Sequence, residues 1–321
     1  SGDTLDLNGQ RAVFGGLLTN NSTIDYDGMV FLDAGINDDG TVANAASCKM
    51  IFSTNTGNTD TPPSLGLVMI NHPSFATSFG GQRFGTNCII GSGEYRLVGV
   101  SSTVTDLTVA TGGTLNDNSS GGTITCAGDF TTSGGLLGAS AFYTSGDDSV
   151  INSSIDLSGK ANLSVEFWMK SAYAWSSGAL EVILGQFNDW GDAFLIGLET
   201  DGNISFDNRK GGVDDRYMAQ VDLQTDHTNK WVHIAYTFEG SSSTYKCYVN
   251  GKLEAQSTGS NSTLGSQLDD YAFTVGTLTG ASRPLSDSYI DELRIFDDVR
   301  TEAEIRADMF QGGTLANSGN L

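Results

Sequence analysis

Basic residues are scarce in this sequence: sixteen Lys and Arg stand against thirty-eight Asp and Glu in 321 residues, a formal charge of −22. The deficit is spread, with four basic and twelve acidic residues in 1–140 and twelve and twenty-six in 141–321. Such a surface repels phosphate backbones and anionic lipids, which excludes nucleic acid as a partner, while it favours solubility and divalent cations. Long hydrophobic runs are also missing: none approaches the roughly 18–20 residues that span a bilayer, so no membrane insertion is expected. The opening Ser1-Gly-Asp-Thr has neither an initiator Met nor a signal-peptide pattern, and the expectation is a soluble chain processed or cut from something longer. The four cysteines, Cys48, Cys88, Cys126 and Cys247, form no CxxC pair and have no His at zinc-ligand spacing, so their pattern argues against a metal-thiolate site. Cys126 and Cys247 sit in alternating runs and read as buried thiols; Cys48 and Cys88 are left open between thiol and bridge. Four prolines against forty-one glycines suit short strands joined by many tight turns.

What is present is alternation. Trp231-Val-His-Ile-Ala-Tyr-Thr-Phe238 and Tyr245-Lys-Cys-Tyr-Val249 repeat apolar residues with a period of two, flank a Gly240-Ser-Ser-Ser-Thr turn, and lead into Asn250-Gly251, a strong type I′ hairpin signal. An antiparallel sheet packed on one face follows. From residue 139 the runs lengthen and become more aromatic. Strands are read at 141–144, 163–171, 181–187, 194–198, 203–207, 231–238, 244–249, 252–257, 272–275 and 289–297, with nothing helical between them. These predict two packed antiparallel sheets, a jelly-roll sandwich. Only Thr301-Glu-Ala-Glu-Ile-Arg-Ala-Asp-Met-Phe310 has a helical period, opened by a Thr301/Glu304 capping box. Phe167, Trp168, Trp231 and Tyr236 are large bodies suited to the gap between sheets. Because neighbours on a strand face opposite ways, one of Phe167 and Trp168, and one of Trp231 and Tyr236, is expected outside the inner layer.

Residues 1–138 have another texture. Three- to five-residue apolar runs separated by Asn-Gly, Gly-Gly and Asp-Gly recur at roughly 10–20 residues, in 1–35 and again in 104–135. A short right-handed β-helix is the preferred reading and an irregular β domain the alternative, because residues 36–100 break any repeat. The chain is thus all-β with two domains, 1–138 and 139–321.

The succession Phe142-Tyr-Thr-Ser-Gly-Asp-Asp-Ser-Val150, Leu163-Ser-Val-Glu-Phe-Trp-Met-Lys170, Lys230-Trp-Val-His-Ile-Ala-Tyr-Thr-Phe238, Tyr248-Val-Asn-Gly-Lys252 and Tyr289-Ile-Asp-Glu-Leu-Arg-Ile-Phe296 resembles the laminin-G-like, concanavalin A-like jelly-roll family. The resemblance runs through residues 141–310 in the family's order. Asp3-Thr-Leu-Asp-Leu-Asn-Gly9 and Gly128-Asp-Phe-Thr-Thr-Ser-Gly-Gly135 resemble the β-solenoid stems of phage tail and fibre proteins. Together these imply a non-enzymatic virion structural protein, a head or tail appendage or decoration at the virion surface. Its partners would be other virion proteins or copies of itself, a trimer among the arrangements, and cell-surface glycans. A secreted or surface bacterial adhesin is the alternative, and a glycan-cleaving enzyme ranks last.

The chemistry is mostly of binding. Similar jelly rolls include glycosidases whose paired carboxylates must project to one face, yet Asp291 and Glu292 are adjacent and expected to project oppositely. His72 reads as a loop residue, and His227 and His233 lack a nucleophile elbow. Asn188, Asp189, Trp190 and Asp192, with Asp214, Asp215 and Tyr217, read as rim loops that mix carboxylates, amides and aromatics, the equipment that contacts sugars. Calcium is expected at Asp147 and Asp148, two adjacent carboxylates in a Gly-Asp-Asp turn, with Asp291 brought near if the first and last strands pair; similar domains often hold calcium there.

Overall fold

The computed structural model describes residues 4–7, 10–15, 18–20, 23–25, 28–32, 36–38, 41–43, 48–52, 66–77, 87–96, 101–104, 106–110, 113–116, 123–126, 130–134, 141–144, 150–152, 155–171, 180–189, 191–223, 227–266, 268, 272–278 and 283–311. The chain divides into two compact units, Ser1–Ser140 and Ala141–Leu321. Among the described residues no helix is long and apolar enough to cross a membrane.

The first unit contains β1 (Thr4–Asp6), β2 (Arg11–Phe14), β3 (Leu18–Asn20), β4 (Thr23–Asp25), β5 (Met29–Leu32), β6 (Ile36–Asp38), β7 (Thr41–Ala43), β8 (Lys49–Phe52), β9 (Leu67–Thr77), β10 (Asn87–Arg96), β11 (Ser101–Val104), β12 (Asp106–Ala110), β13 (Gly113–Asn116), β14 (Thr123–Cys126) and β15 (Phe130–Gly134). All its described pairings are parallel. One ladder runs β2-β5-β8-β9-β10-β12-β15; others join β1-β4-β7, β3-β6 and β11-β14. In-register pairing stacks Ala12, Val30, Met50, Val68, Cys88, Leu107 and Phe130 in one column. The expected break at 36–100 is therefore corrected, since β8, β9 and β10 continue the same ladder. The ladder rests on alternate apolar positions of each strand and not on a motif, and segments of unequal length separate its strands in the sequence. His72 lies within β9 and not at a strand exit. Cys48 and Cys88 belong to rungs two strand steps apart, about 9.5 Å, beyond the roughly 7 Å that a disulfide spans. Burial pushes the Cys88 thiol up and that of Cys247 up to about 12.

The second unit contains β16 (Phe142–Thr144), β17 (Val150–Asn152), β18 (Asn162–Ser171), β19 (Glu181–Asp189), β20 (Asp192–Leu198), β21 (Asn203–Lys210), β22 (Val213–Asp222), β23 (Val232–Glu239), β24 (Thr244–Val249), β25 (Lys252–Thr258), β26 (Phe273–Val275), β27 (Ser288–Phe296) and α1 (Glu302–Asp308). Its strands form two six-stranded antiparallel sheets, β16-β27-β18-β23-β24-β25 and β17-β26-β19-β20-β21-β22. Between them lie Leu163, Val165, Phe167 and Met169 of β18, Val232, Ile234, Tyr236 and Phe238 of β23, and Phe194, Ile196, Ile204 and Phe206 of the second sheet. Period-two alternation places all of them inward. The Asn250-Gly251 turn has φ of +49° and +71°, as a type I′ hairpin requires.

Phe167 and Tyr236 face the core as expected; Trp168 and Trp231 do not. Trp168 stands on the outer face of the first sheet and is nevertheless buried, because the segment after β27 folds back over it. Its Nε1–H donates to the Met309 carbonyl at 2.6 Å, and Phe310 packs against its ring at 5.3 Å. Helix α1 opens with both halves of the capping box, whose hydrogen bonds hold the Glu304 carboxyl below its usual range. Ile305 joins Ala235 and Tyr248 in a small outer cluster. Trp168→Ala removes this anchor and leaves a cavity, and is expected to cost about 3–5 kcal/mol in chemical denaturation; a loss below about 1 kcal/mol would mean that the terminal segment is held by something else.

Candidate functional site

At one end of the sandwich three turns converge. The β19–β20 hairpin closes where Asp189 pairs with Asp192, and β21–β22 closes through Gly211-Gly212, whose φ of +56° and +83° suit glycine. The two tips touch, the Gly212 N–H donating to the Gly191 carbonyl at 3.5 Å. Behind them the 259–266 segment is held by side chains from the strands. Asp192 Oδ1 accepts the Ser266 N–H at 3.0 Å, Asn208 Nδ2 donates to the Thr263 carbonyl at 3.2 Å, and Lys210 Nζ donates to Thr263 Oγ1.

The rim residues expected to contact a ligand divide accordingly. Asn188 and Asp189 end β19, and Trp190 lies outside the described residues. Asp214, Asp215 and Tyr217 are not in a loop but in β22, which the sequence conceals because two bulges shift its phase. Asp215 is buried. Its carboxylate accepts the Tyr245 hydroxyl at 2.8 Å, the Asn261 N–H at 2.8 Å and the Ser260 N–H at 2.8 and 2.9 Å. A Cβ on Gly259 would fall 2.2 Å from its Oδ2. Asp215 thus clamps a turn from inside, as Asp192 does, and neither is a surface ligand; a buried carboxylate is retained only where several donors satisfy it.

Asp214 and Tyr217 do face outward. The two bulges of β22 leave Tyr217 and Ala219 with φ of +57° and +48°, sparsely populated values for side chains of this kind. Each is held by a fixed partner: Asp207 Oδ1 accepts the Tyr217 N–H at 2.8 Å, and Ser257 Oγ accepts the Ala219 N–H at 2.8 Å. Asp207 in turn pairs with Arg209 at 3.1 Å, Arg209 with Asp214 at 3.3 Å and Asp214 with Arg216 at 2.7 Å. The result is a row of alternating charge whose buried end is Asp207 and whose open end presents the Tyr217 ring, 51% exposed, beside the Arg216 guanidinium.

Glu199, Ser205, Asp207 and Arg209 were not singled out by sequence. The signal was available in Ile204-Ser-Phe-Asp-Asn-Arg209, where polar residues alternate with core residues on one strand. Ser205 Oγ donates to Glu199 Oε1 at 2.6 Å. Burial raises the carboxyls of both Glu199 and Asp207; the Ser205 hydrogen bond opposes the shift at Glu199, and at Asp207 the Tyr217 N–H and Arg209 oppose it.

Asp291 and Glu292 serve the fold. A bulge in β27 sets Trp168 opposite Asp291 but Glu166 opposite Arg294, with Glu292 at φ +49°. Asp291 Oδ1 accepts the Glu292 N–H at 2.9 Å, and Glu292 pairs with Arg294 at 2.8 Å, so each carboxylate has a partner inside its own strand. First and last strands pair as expected, but β16 runs from Phe142 opposite Ile290 to Thr144 opposite Ser288, away from Asp291. Asp147 and Asp148 lie outside the described residues. Among the described residues no group of three or more His, Cys, Asp or Glu is placed to hold a metal. His233 lies beneath the α1 segment, 3.5 Å from Glu166, both buried.

Two packed antiparallel sheets with a rim of hairpin turns define a lectin-like domain. The laminin-G-type family description of the concanavalin A-like lectin/glucanases superfamily matches residues 144–306, and the chain belongs to that superfamily. No curated protein matches. Similar solved structures are NanB with Optactamide (19% identity, 52% of this chain and 27% of that chain, TM-score 0.43) and a putative carbohydrate binding protein from Bacteroides ovatus (18%, 54% and 47%, TM-score 0.40). A third is the receptor binding domain of botulinum neurotoxin mosaic serotype C/D (18%, 53% and 42%, TM-score 0.42). The chain spans less than half the length of each of the three.

The raised carboxyls give a signed pH dependence. A carboxyl whose folded pKa lies above its unfolded value contributes stability that is fully present below the unfolded value, near 4.5 for Glu199, and is lost as pH rises through the folded one. Glu199→Gln keeps an acceptor for Ser205 and removes the charge. Denaturation from pH 4 to 8 is expected to show the variant losing less stability than the parent as pH rises; parallel curves would count against the assignment.

Proposed function

We propose that the second unit recognises a glycan at the hairpin rim, with the Tyr217 ring as the stacking surface and Asp214 and Arg216 as hydroxyl partners. The observation that carries this reading is the outward Tyr217 ring, held on a left-handed backbone by a buried charge row, in a chain of the lectin/glucanase superfamily. Backbone in a sparsely populated conformation persists where surroundings over-determine it, and such sites cluster at ligand contacts. A fixed aromatic face with charged neighbours suits the C–H face and the hydroxyls of a sugar ring. In a glycan-array screen followed by calorimetry, Tyr217→Ala is expected to weaken binding at least about tenfold, or about 1.4 kcal/mol; unchanged affinity would remove Tyr217 from the site. The domain acts without catalysis in this reading, so incubation with the bound glycan releases no reducing ends.

The first unit serves, in the same reading, as a short β-solenoid stem of a phage virion structural protein, anchored by other virion proteins or by copies of itself. Its parallel in-register ladders support the stem, because stacked rungs bury a common column yet leave open edges at their ends that must be covered. Copurification with virion particles is expected; a cell-anchored protein absent from particles would point instead to a surface adhesin.

Calcium is proposed at Asp147 and Asp148 alone, on the repulsion between adjacent carboxylates in an acidic chain. Saturating calcium at a hundredfold above its dissociation constant would add about 2.7 kcal/mol. Chelator is expected to lower the melting temperature by several degrees and Asp148→Ala to abolish that difference; a melting curve indifferent to chelator would leave both residues as turn formers.

A further inference from the structure

A second aromatic surface stands on the other sheet, away from the rim strands. On the outer face of the first sheet, Tyr143 of the edge strand β16 pairs across with Tyr289 of β27, and Tyr289 with Lys170 of β18. Trp231 extends the row, since it immediately precedes Val232, the partner of Met169. The rings form a row of tilted contacts. Tyr143 and Tyr289 lie 4.7 Å apart at 35°, and Tyr289 and Trp231 lie 6.3 Å apart at 53°. Trp231 and Lys170 are buried, Tyr289 half-buried, and Tyr143 43% exposed. The outermost ring is also bonded at its far end: the Tyr143 hydroxyl donates to Asp287 Oδ1 at 2.8 Å, and Asp287 has φ of +33°.

We propose that Tyr143, Tyr289 and Asp287 form a second sugar-contact shelf, taking the face of one neutral pyranose ring. The size of the exposed apolar surface selects the occupant. Among the described residues the exposed large hydrophobics are Val13, Tyr143, Val213 and Tyr217, and Tyr143 stands apart in the fold from the rim pair Val213 and Tyr217. A single open ring falls far short of the roughly 800 Å² per partner that a stable protein interface buries. It matches the C–H face of one hexose, with a carboxylate at its border to accept ring hydroxyls. Charge selects among sugars: Asp287, in a chain of net charge −22, disfavours uronic and sialic acids. Two such contacts on opposite sheets would let one domain engage two residues of a branched or long glycan, and avidity would then exceed either site alone. This inference rests on the reading of the domain as a glycan binder but not on the rim residues.

The test uses the full chain, with methyl glucopyranoside, galactopyranoside and mannopyranoside and the matching uronic acids as probes in saturation-transfer NMR titrations. At least one neutral pyranoside is expected to bind the parent at both surfaces. Tyr143→Ala is expected to remove one of the two contributions, weakening that contact at least about tenfold, while Tyr217→Ala leaves it in place. Tyr143→Phe keeps the ring and is expected to keep most of the binding, which separates stacking from damage to the edge strand. Asp287→Asn is expected to narrow the preference for neutral over acidic probes. Binding unchanged in Tyr143→Ala but lost in Tyr217→Ala would overturn the shelf and leave the rim standing. Binding lost in Tyr143→Ala but unchanged in Tyr217→Ala would support the shelf and overturn the rim assignment. A parent that binds no probe would overturn both.

Discussion

The second unit depends on one strand that is buried on both faces. All of β18 after Asn162 is buried. Its inner row, Leu163, Val165, Phe167 and Met169, packs into the sandwich; its outer row, Ser164, Glu166, Trp168 and Lys170, cannot be left open once Trp168 is among it. Each buried large side chain is worth roughly 1.5–3 kcal/mol, but only if its polar neighbours find partners. The fold meets that condition at Ser164 and Trp168 by returning its last segment across the sheet, while the Glu166 carboxylate lies buried 3.5 Å from His233 without a hydrogen bond. Ser164 Oγ donates to the Asp298 carbonyl and accepts the Arg300 N–H, Trp168 is bonded to Met309, and Arg294 reaches the Asp308 carbonyl. The capping box of α1 fixes where that segment turns. Strand β18 and the segment that carries α1 therefore cover each other.

The two units bury their apolar residues by different means. In the sandwich, alternation sends one row of each strand against a facing sheet, and distant strands must meet before any of that area is buried. In the first unit, each strand lies beside a strand of like pattern displaced by one rung, so that Val30, Met50, Val68 and Cys88 stack on one another. The first arrangement yields a closed domain with loops free to vary at its rim. The second yields a column in which each strand covers the apolar residues of its neighbour.

Some of the local strain in the sandwich lies at the proposed contacts. Tyr217, Ala219 and Asp287 all have positive φ without being glycine. Conformations of this kind cost of order 1–3 kcal/mol each and survive through surrounding bonds, here those of Asp207, Ser257 and the edge of the first sheet. Burial raises the carboxyls of Glu199 and Asp207, and the bonds that Ser205, the Tyr217 N–H and Arg209 make to them oppose that shift. Polar groups fix the Tyr217 backbone and the Tyr143 hydroxyl, and a group already held in position loses little entropy when a ligand arrives.

The sequence by itself determined the elements with an unbroken local rule. Period-two alternation in 163–171 and 231–238 gave the central pair, Asn250-Gly251 its hairpin, and Thr301 with Glu304 the helix start, because each rests on residues within a few positions of one another. It also separated Phe167 from Trp168 and Trp231 from Tyr236. Tertiary structure alone decided what covers the outer faces, and therefore that Trp168 is core despite facing away from the sandwich. It decided that Asp215 turns inward as a clamp while Tyr217 turns out, since bulges in β22 reset the phase that alternation would otherwise have carried through. It decided that β8, β9 and β10 continue one ladder across segments of unequal length, and that Tyr143 and Tyr289 meet across 146 positions of chain. Local chemistry fixes the period of a strand; only pairing with a distant strand fixes its register, and register chooses which side chains share a face.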